Sequence, residues 1–156
     1  MAEHNDLGKW GEAEASRYLE SKGYAILDRD WRFGKRDLDI VALSEDACTI
    51  VVVEVKTRAS DDMRAPEEAV DIRKMRNLAV AANAYVKGHA VAQELRFDII
   101  SIVGSPSKIE RIDHLVDAFN PLLVFRCRLF RRCCRLVMFR RPVCYRQWWY
   151  RLLRSR

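Results

Sequence analysis

Three side chains in this sequence stand where they can act together: Asp39, Glu54 and Lys56. Glu54 and Lys56 close the run Thr49 to Lys56, TIVVVEVK, whose β-branched apolar residues predict a buried strand. Alternation along a strand puts Glu54 and Lys56 on one face, with Cα atoms about 6.6 to 7 Å apart. Two or three carboxylates beside a lysine suit Mg²⁺ or Mn²⁺, which take hard oxygen ligands in an incomplete protein shell and leave positions for water and a substrate phosphate. Asp39 and Glu54 are then the ligands, and Lys56 orients the attacking water or stabilises charge on the phosphoryl group. Phosphodiester hydrolysis is the reaction such a set supports. The plainer reading is a pair of exposed salt bridges, Asp37 with Lys56 and Asp39 with a neighbouring arginine, contributing about 0 to 1 kcal/mol each. The spacing D-x14-E-x-K does not by itself choose between the two.

The elements that must position these residues can be read from periodicity. Leu38 to Leu43 is a second strand, and the polar turn Ser44 to Ala47 joins it to the first as an antiparallel hairpin. If Leu43 faces Ile50, opposed residue numbers sum to 93, which sets Val41 against Val52, Asp39 against Glu54 and Asp37 against Lys56. The four charged residues then share one face, and Leu38, Ile40, Ala42, Val51, Val53 and Val55 make an apolar opposite face. Upstream, Leu7 to Ser21 has the apolar arc of an amphipathic helix, ended by Gly23, with Glu12 at the arc's edge where its carboxylate can reach what the helix packs on. Tyr24 to Leu27 reads as a short strand and Asp28 to Arg36 as a charged loop carrying Trp31 and Phe33. Downstream, a helix is expected from Pro66, with Glu67 and Glu68 in its first turn, to Val86; its apolar face is Val70, Met75, Leu78, Ala81, Ala82 and Tyr85. Leu95 to Val103 and Lys108 to Ile112 are further strands. This order predicts an α/β domain over residues 1–120, a mixed sheet covered by helices.

Charge is unevenly spread. Residues 1–120 hold 17 basic and 22 acidic side chains, whereas residues 121–156 hold eleven arginines, no acid and four of the five cysteines. The net +6 therefore belongs to the Arg/Cys-rich extension and not to the domain. Its residues from Arg126 to Val137 sort into a basic and an apolar arc, as in an amphipathic helix able to clamp nucleic acid or lie on an anionic membrane, the membrane being the less favoured partner. An appended segment with no selected role is the plainer alternative. Zinc fits poorly, because the cysteines lack a CxxC pair. Neither a secretion signal nor an apolar membrane span is legible, so a cytoplasmic protein with free thiols is expected.

Several ordered motifs carry a resemblance: Gly8-x-x-Gly11-Glu12-x-x-Ala15-x-x-Tyr18-Leu19-x-x-x-Gly23-Tyr24, Asp37-Leu38-Asp39-Ile40-Val41-Ala42, Val53-Glu54-Val55-Lys56-Thr57-Arg58, Lys74, and Arg96-Phe97-Asp98. Over residues 7–119 the chain resembles the YraN-like family of uncharacterised bacterial proteins, assigned to the restriction-endonuclease-like superfamily with its PD-(D/E)xK motif and its Holliday-junction resolvases. The resemblance implies a mixed central sheet flanked by helices. It implies Asp39, Glu54 and Lys56 as catalytic residues, and Glu12 with Asp39 and Glu54 as metal ligands. Where the family has Gly-Glu-Ile-Asp, this chain has Arg36-Asp37-Leu38-Asp39. Members of the superfamily can lose catalysis and keep nucleic-acid binding, which is the alternative function. Resolvases of the superfamily are dimers, so a homodimer is admitted, although no segment announces an interface.

Binding of DNA by an acidic domain must be local. Arg32, Lys35 and Arg36 before the hairpin, Arg58 after it, and Arg73 and Lys74 at the second helix are the expected phosphate contacts. Such contacts position a substrate without reading its sequence, so structure-selective recognition of DNA follows. Trp31 and Phe33 can stack on an exposed base.

Overall fold

The computed structural model describes residues 2–59 and 72–121, with side chains from residue 6 onward. Their elements run α1 (Ala2–Ser21), β1 (Ala25–Phe33), β2 (Arg36–Leu43), β3 (Thr49–Arg58), α2 (Ile72–Gly88), β4 (Glu94–Ser105) and β5 (Lys108–Leu115). The five strands form one sheet in chain order, antiparallel throughout except for β3 and β4, which are parallel. A parallel pair needs a crossover, and α2 lies within it.

One helix covers each face. Leu38, Val41, Ile50, Val52 and Phe97 pack with Leu78, Ala81, Ala82 and Tyr85 of α2, while Ile40, Ala42, Val51, Val53, Ile100 and Ile102 pack with Ala15 and Leu19 of α1. Because β3 is buried on both sides, it has no need to alternate with polar residues, which accounts for its valines. Each such side chain taken out of water contributes about 1.5 to 3 kcal/mol.

The hairpin register is the expected one for four pairs, from Leu43 against Ile50 to Ile40 against Val53. There the backbone ladder ends, and the N–H of Val55 donates to Oδ2 of Asp39 at 2.8 Å. Alternation also breaks at Asp39, since Leu38 packs with Val41 on the α2 face whereas Ile40 lies on the α1 face. The expected apolar face of the hairpin therefore loses Leu38. Across β2 the same level is distorted too: Arg29 pairs with Ile40 and Trp31 with Leu38, and Asp30 between them adopts a left-handed φ of 48°.

Asp28 to Phe33, expected as a loop, is the second half of β1. Tyr85 of α2 donates its hydroxyl hydrogen to the Asp28 carboxylate, and Trp31 meets the Tyr85 ring edge-on at 5.2 Å, so this charged stretch is bound to α2 from within. A register shift around Leu27 and the turn of the backbone at Asp30 hide the strand from a period-2 reading. The last strand runs three residues beyond the expected Ile112, to Leu115. The helix start expected at Pro66, and the extension from residue 122 on, lie outside the described residues.

The seat of α1 on β3 requires glycine. A Cβ on Gly11 would stand 1.8 Å from Oγ1 and 2.9 Å from Cβ of Thr57. Gly11→Ala gains about 1 kcal/mol of helix propensity but must push the helix off the strand, for an expected net loss of about 1 to 2 kcal/mol. Urea denaturation checks this, and adding Thr57→Ala should restore part of the loss. Full stability of the single variant would mean that the helix is not seated so closely.

Candidate functional site

The break in the ladder builds the site. Glu54, the first charged residue of β3, is 2% exposed and lies on the α2 side with Ile50 and Val52. Nζ of Lys56, two residues on, reaches its Oε1 at 2.7 Å, as the shared face of the strand predicts. Nζ of Lys74, from α2, stands 3.0 Å from Oε2 of Glu54 and 3.9 Å from Oδ1 of Asp37. That contact is one of charge: buried Oε2 accepts no well-directed hydrogen bond.

Asp39 lies across the opened ladder, fixed by the Val55 N–H. Burial, and then the charge of Glu54, push its carboxyl up from 3.8 to about 7, against the lowering effects of the Val55 hydrogen bond and Lys74. Glu12 is half-buried on α1, next to the Gly11 contact with Thr57. Its carboxyl is also raised, first by burial and then by Asp30, Asp37 and Glu54. Asp30, which the sequence did not mark, thus belongs to the same field of acids. Lys74 is held charged: burial alone would lower its pKa, but Glu54, Asp39 and Asp37 together raise it.

The expected phosphate contacts divide. Lys74 belongs to the carboxylate cluster. Its place four residues before Leu78 puts its stem on the buried stripe of α2, and that spacing was the available signal. Arg36 donates from Nε to Oδ1 of Asn77 on α2 at 3.2 Å, and Arg32 is paired with Asp30 at 2.9 Å. Lys35 and Arg73 are exposed, and Arg58 is half-buried at the end of β3. Trp31 is packed against Tyr85, whereas Phe33, parallel to it with centroids 6.4 Å apart, is open to solvent.

A second charged cluster lies on the α1 face, built on the Arg96-Phe97-Asp98 motif, to which the sequence reading gave no role. Asp98 of β4 is fully buried and receives two hydrogen bonds from Arg96, at 2.9 and 2.8 Å, and one from the backbone N–H of Asp117 at 2.9 Å. His114 Nε2 is 3.0 Å from its Oδ2, and Arg96 also donates to the hydroxyl of Tyr24. This network ties β5 and the segment after it to the parallel pair.

As placed, no three His, Cys, Asp or Glu side chains among the described residues stand close enough to grip a metal ion. The donor chemistry nevertheless fits a hard divalent cation. Asp39 and Glu54 are carboxylates, and a bound cation would offset both the burial and the Glu54 charge that raise the Asp39 carboxyl. Among the described residues no helix is long and apolar enough to cross a membrane.

Comparison with known proteins matches about four fifths of the chain to relatives that it covers almost from end to end. A family model described as "Uncharacterised protein family UPF0102" matches residues 11–102. A UPF0102 protein of Bacteroides thetaiotaomicron is 49% identical over 123 residues, covering 79% of this chain and 99% of that relative. Another, from Phocaeicola vulgatus, is 45% identical over 121 residues, covering 78% and 98%. A solved structure of Pyrococcus furiosus SfsA in complex with Ca²⁺ aligns at a TM-score of 0.32 and 17% identity over 65% of this chain and 57% of that one, too slight a likeness to carry an argument.

Proposed function

For this chain, which belongs to the uncharacterised protein family UPF0102, we propose a metal-dependent phosphodiesterase acting on DNA, on a sheet of the restriction-endonuclease-like kind. The observation that carries this reading is a buried Glu54 whose charge acts on Asp39 where the β2–β3 ladder opens, with Lys56 held on the Glu54 carboxylate. Buried like charges are costly, and an arrangement that keeps them beside a lysine at a strand end favours a cation and a phosphate as their occupants.

Asp39 and Glu54 would hold Mg²⁺ or Mn²⁺, with Glu12 reaching in from α1. When bound, the ion would supply charge neutralisation at the scissile phosphate and lower the pKa of a water. Lys56 keeps its ammonium within reach of Glu54 and partly open to solvent, so it can meet charge developing on phosphoryl oxygens. Asp39 is fixed by the Val55 amide, which leaves its carboxyl aimed with little loss of rotamer freedom on binding. Lys35 and Arg73, both exposed, with Arg32 and Arg36 flanking Lys35 in the sequence and Arg58 closing β3, supply phosphate contacts that read shape before sequence.

The test is cleavage of a four-way junction, a flap and a linear duplex with Mg²⁺ or Mn²⁺. Wild type should cut at least one of them, and an Asp39→Ala, Lys56→Ala double variant should not; equal cutting by both ends the proposal. A second reading, a non-catalytic nucleic-acid-binding protein on the same fold, is favoured by one observation. Both oxygens of Glu54 already face lysine ammonium groups. Binding without cleavage under every metal tried would select it.

A further inference from the structure

We propose that Lys74 is the resident countercharge of the carboxylate pair, an ammonium that a divalent cation must displace from Glu54, and that displacement frees Lys74 to meet the substrate phosphate. This rests on the phosphodiesterase reading and assigns Lys74 a part in it.

Three features lead there. Oε2 of Glu54 is buried without a well-directed hydrogen bond, and Nζ of Lys74 stands 3.0 Å from it, in direct competition with any cation that takes the same oxygen. The two lysines on Glu54 are not equivalent. Lys56 belongs to the same strand as its partner and sits on Oε1, whereas Lys74 arrives from α2 and meets Oε2. Finally, Lys74 has a way out. Its side chain is 30% exposed and its Nζ is 3.9 Å from Asp37, whose side chain is 54% exposed, so withdrawal carries the ammonium toward Asp37 and solvent. An ammonium is a compact charge on a flexible stem, suited to changing partners in a way a forked guanidinium is not.

The protein without its ion is thereby kept from exposing bare carboxylates, and the lysine becomes available to phosphate only when the ion is in place. Metal loading and substrate binding are coupled through one side chain, and such coupling acts equally in both directions.

Calorimetric titration of Mn²⁺ into the full chain, without DNA, tests this. Lys74→Met, which keeps the stem and removes the charge, should bind Mn²⁺ at least about tenfold more tightly than wild type, equivalent to about 1.4 kcal/mol. Lys74→Arg, which keeps the charge on a fork less suited to leaving the carboxylate, should bind Mn²⁺ no more tightly than wild type. On wild type itself, the Lys74 ammonium should be visible and slow to exchange in ¹H–¹⁵N spectra without metal, and should lose that protection at saturating Mg²⁺. Equal Mn²⁺ affinity in wild type and Lys74→Met, or an ammonium signal unmoved by Mg²⁺ that binds, overturns the role of Lys74 and leaves the phosphodiesterase reading standing. Absence of divalent binding in every form removes that reading and this inference together.

Discussion

Replacing Asp39 by asparagine should abolish the proposed cleavage and, in the same molecule, raise stability. The loss of activity is expected to be about 10³-fold or more, because a neutral amide neither holds a divalent ion as a carboxylate does nor completes its charge balance. The stability gain comes from the opposite side of the same property. In the folded chain the Asp39 carboxyl is raised from 3.8 to about 7, first by burial and then by Glu54, so ionising it works against folding. Below about pH 4 it is protonated in folded and unfolded chains alike, and no cost arises. As pH climbs, the unfolded chain ionises while the folded one resists, and the cost grows until about pH 7, where it levels off. A shift of that size corresponds to at most about 4 kcal/mol. The amide oxygen that Asp39→Asn introduces can still accept the Val55 N–H, so the variant should be more stable than wild type in urea at pH 8 and indistinguishable from it at pH 4. No gain at pH 8 would show that the repulsion with Glu54 is not what the geometry implies.

The second large effect belongs to the α1 face. Asp98→Ala should destabilise the fold by about 3 to 5 kcal/mol, since it leaves Arg96 and His114 facing a buried gap with no anion. Burial alone would raise the Asp98 carboxyl, but hydrogen bonds from His114, Arg96 and the Asp117 amide outweigh it and hold the group below its ordinary value. Its stabilisation is therefore complete above the unfolded value of 3.8 and is lost as pH falls through the lower folded one. Acid unfolding followed by circular dichroism should show wild type losing stability steeply below about pH 4, with a shallower loss in Asp98→Ala. An unchanged urea midpoint in the variant would refute the network's role.

Much of this architecture is legible in the residues alone, and the failures have identifiable causes. The register of β2 on β3 follows from one turn and a sum of residue numbers, because the length of a hairpin's loop sets which residues face each other. The strand character of Asp28 to Phe33 is not legible. Its acids and arginines read as a loop, and the contact that holds Asp28, the Tyr85 hydroxyl, is 57 residues away in sequence. Asp39 and Glu54 stand out by type and spacing. What spacing cannot show is that Asp39 itself ends the ladder by taking the Val55 amide, which turns Leu38 to the other face. Lys74 groups naturally with phosphate-binding bases, since charge alone does not tell a rim lysine from one folded inward on a helix stripe. Asp98 stands in plain view beside Arg96, but its third partner, His114, comes from a strand whose pairing only the sheet reveals.

The irregularities of β1 have a bearing on how copies of this protein meet. Among the described residues, a sheet in chain order leaves two borders, β1 and β5, each with a row of backbone groups able to recruit a foreign strand. On β1 that row is broken twice, by the shift around Leu27 and by left-handed Asp30, so it presents no flat template. On β5 the border carries Lys108, Glu110, Arg111 and Asp113, whose desolvation penalises close stacking. The irregular backbone of β1, at the level where the neighbouring ladder opens, thus helps guard the sheet against growing by edge-to-edge aggregation.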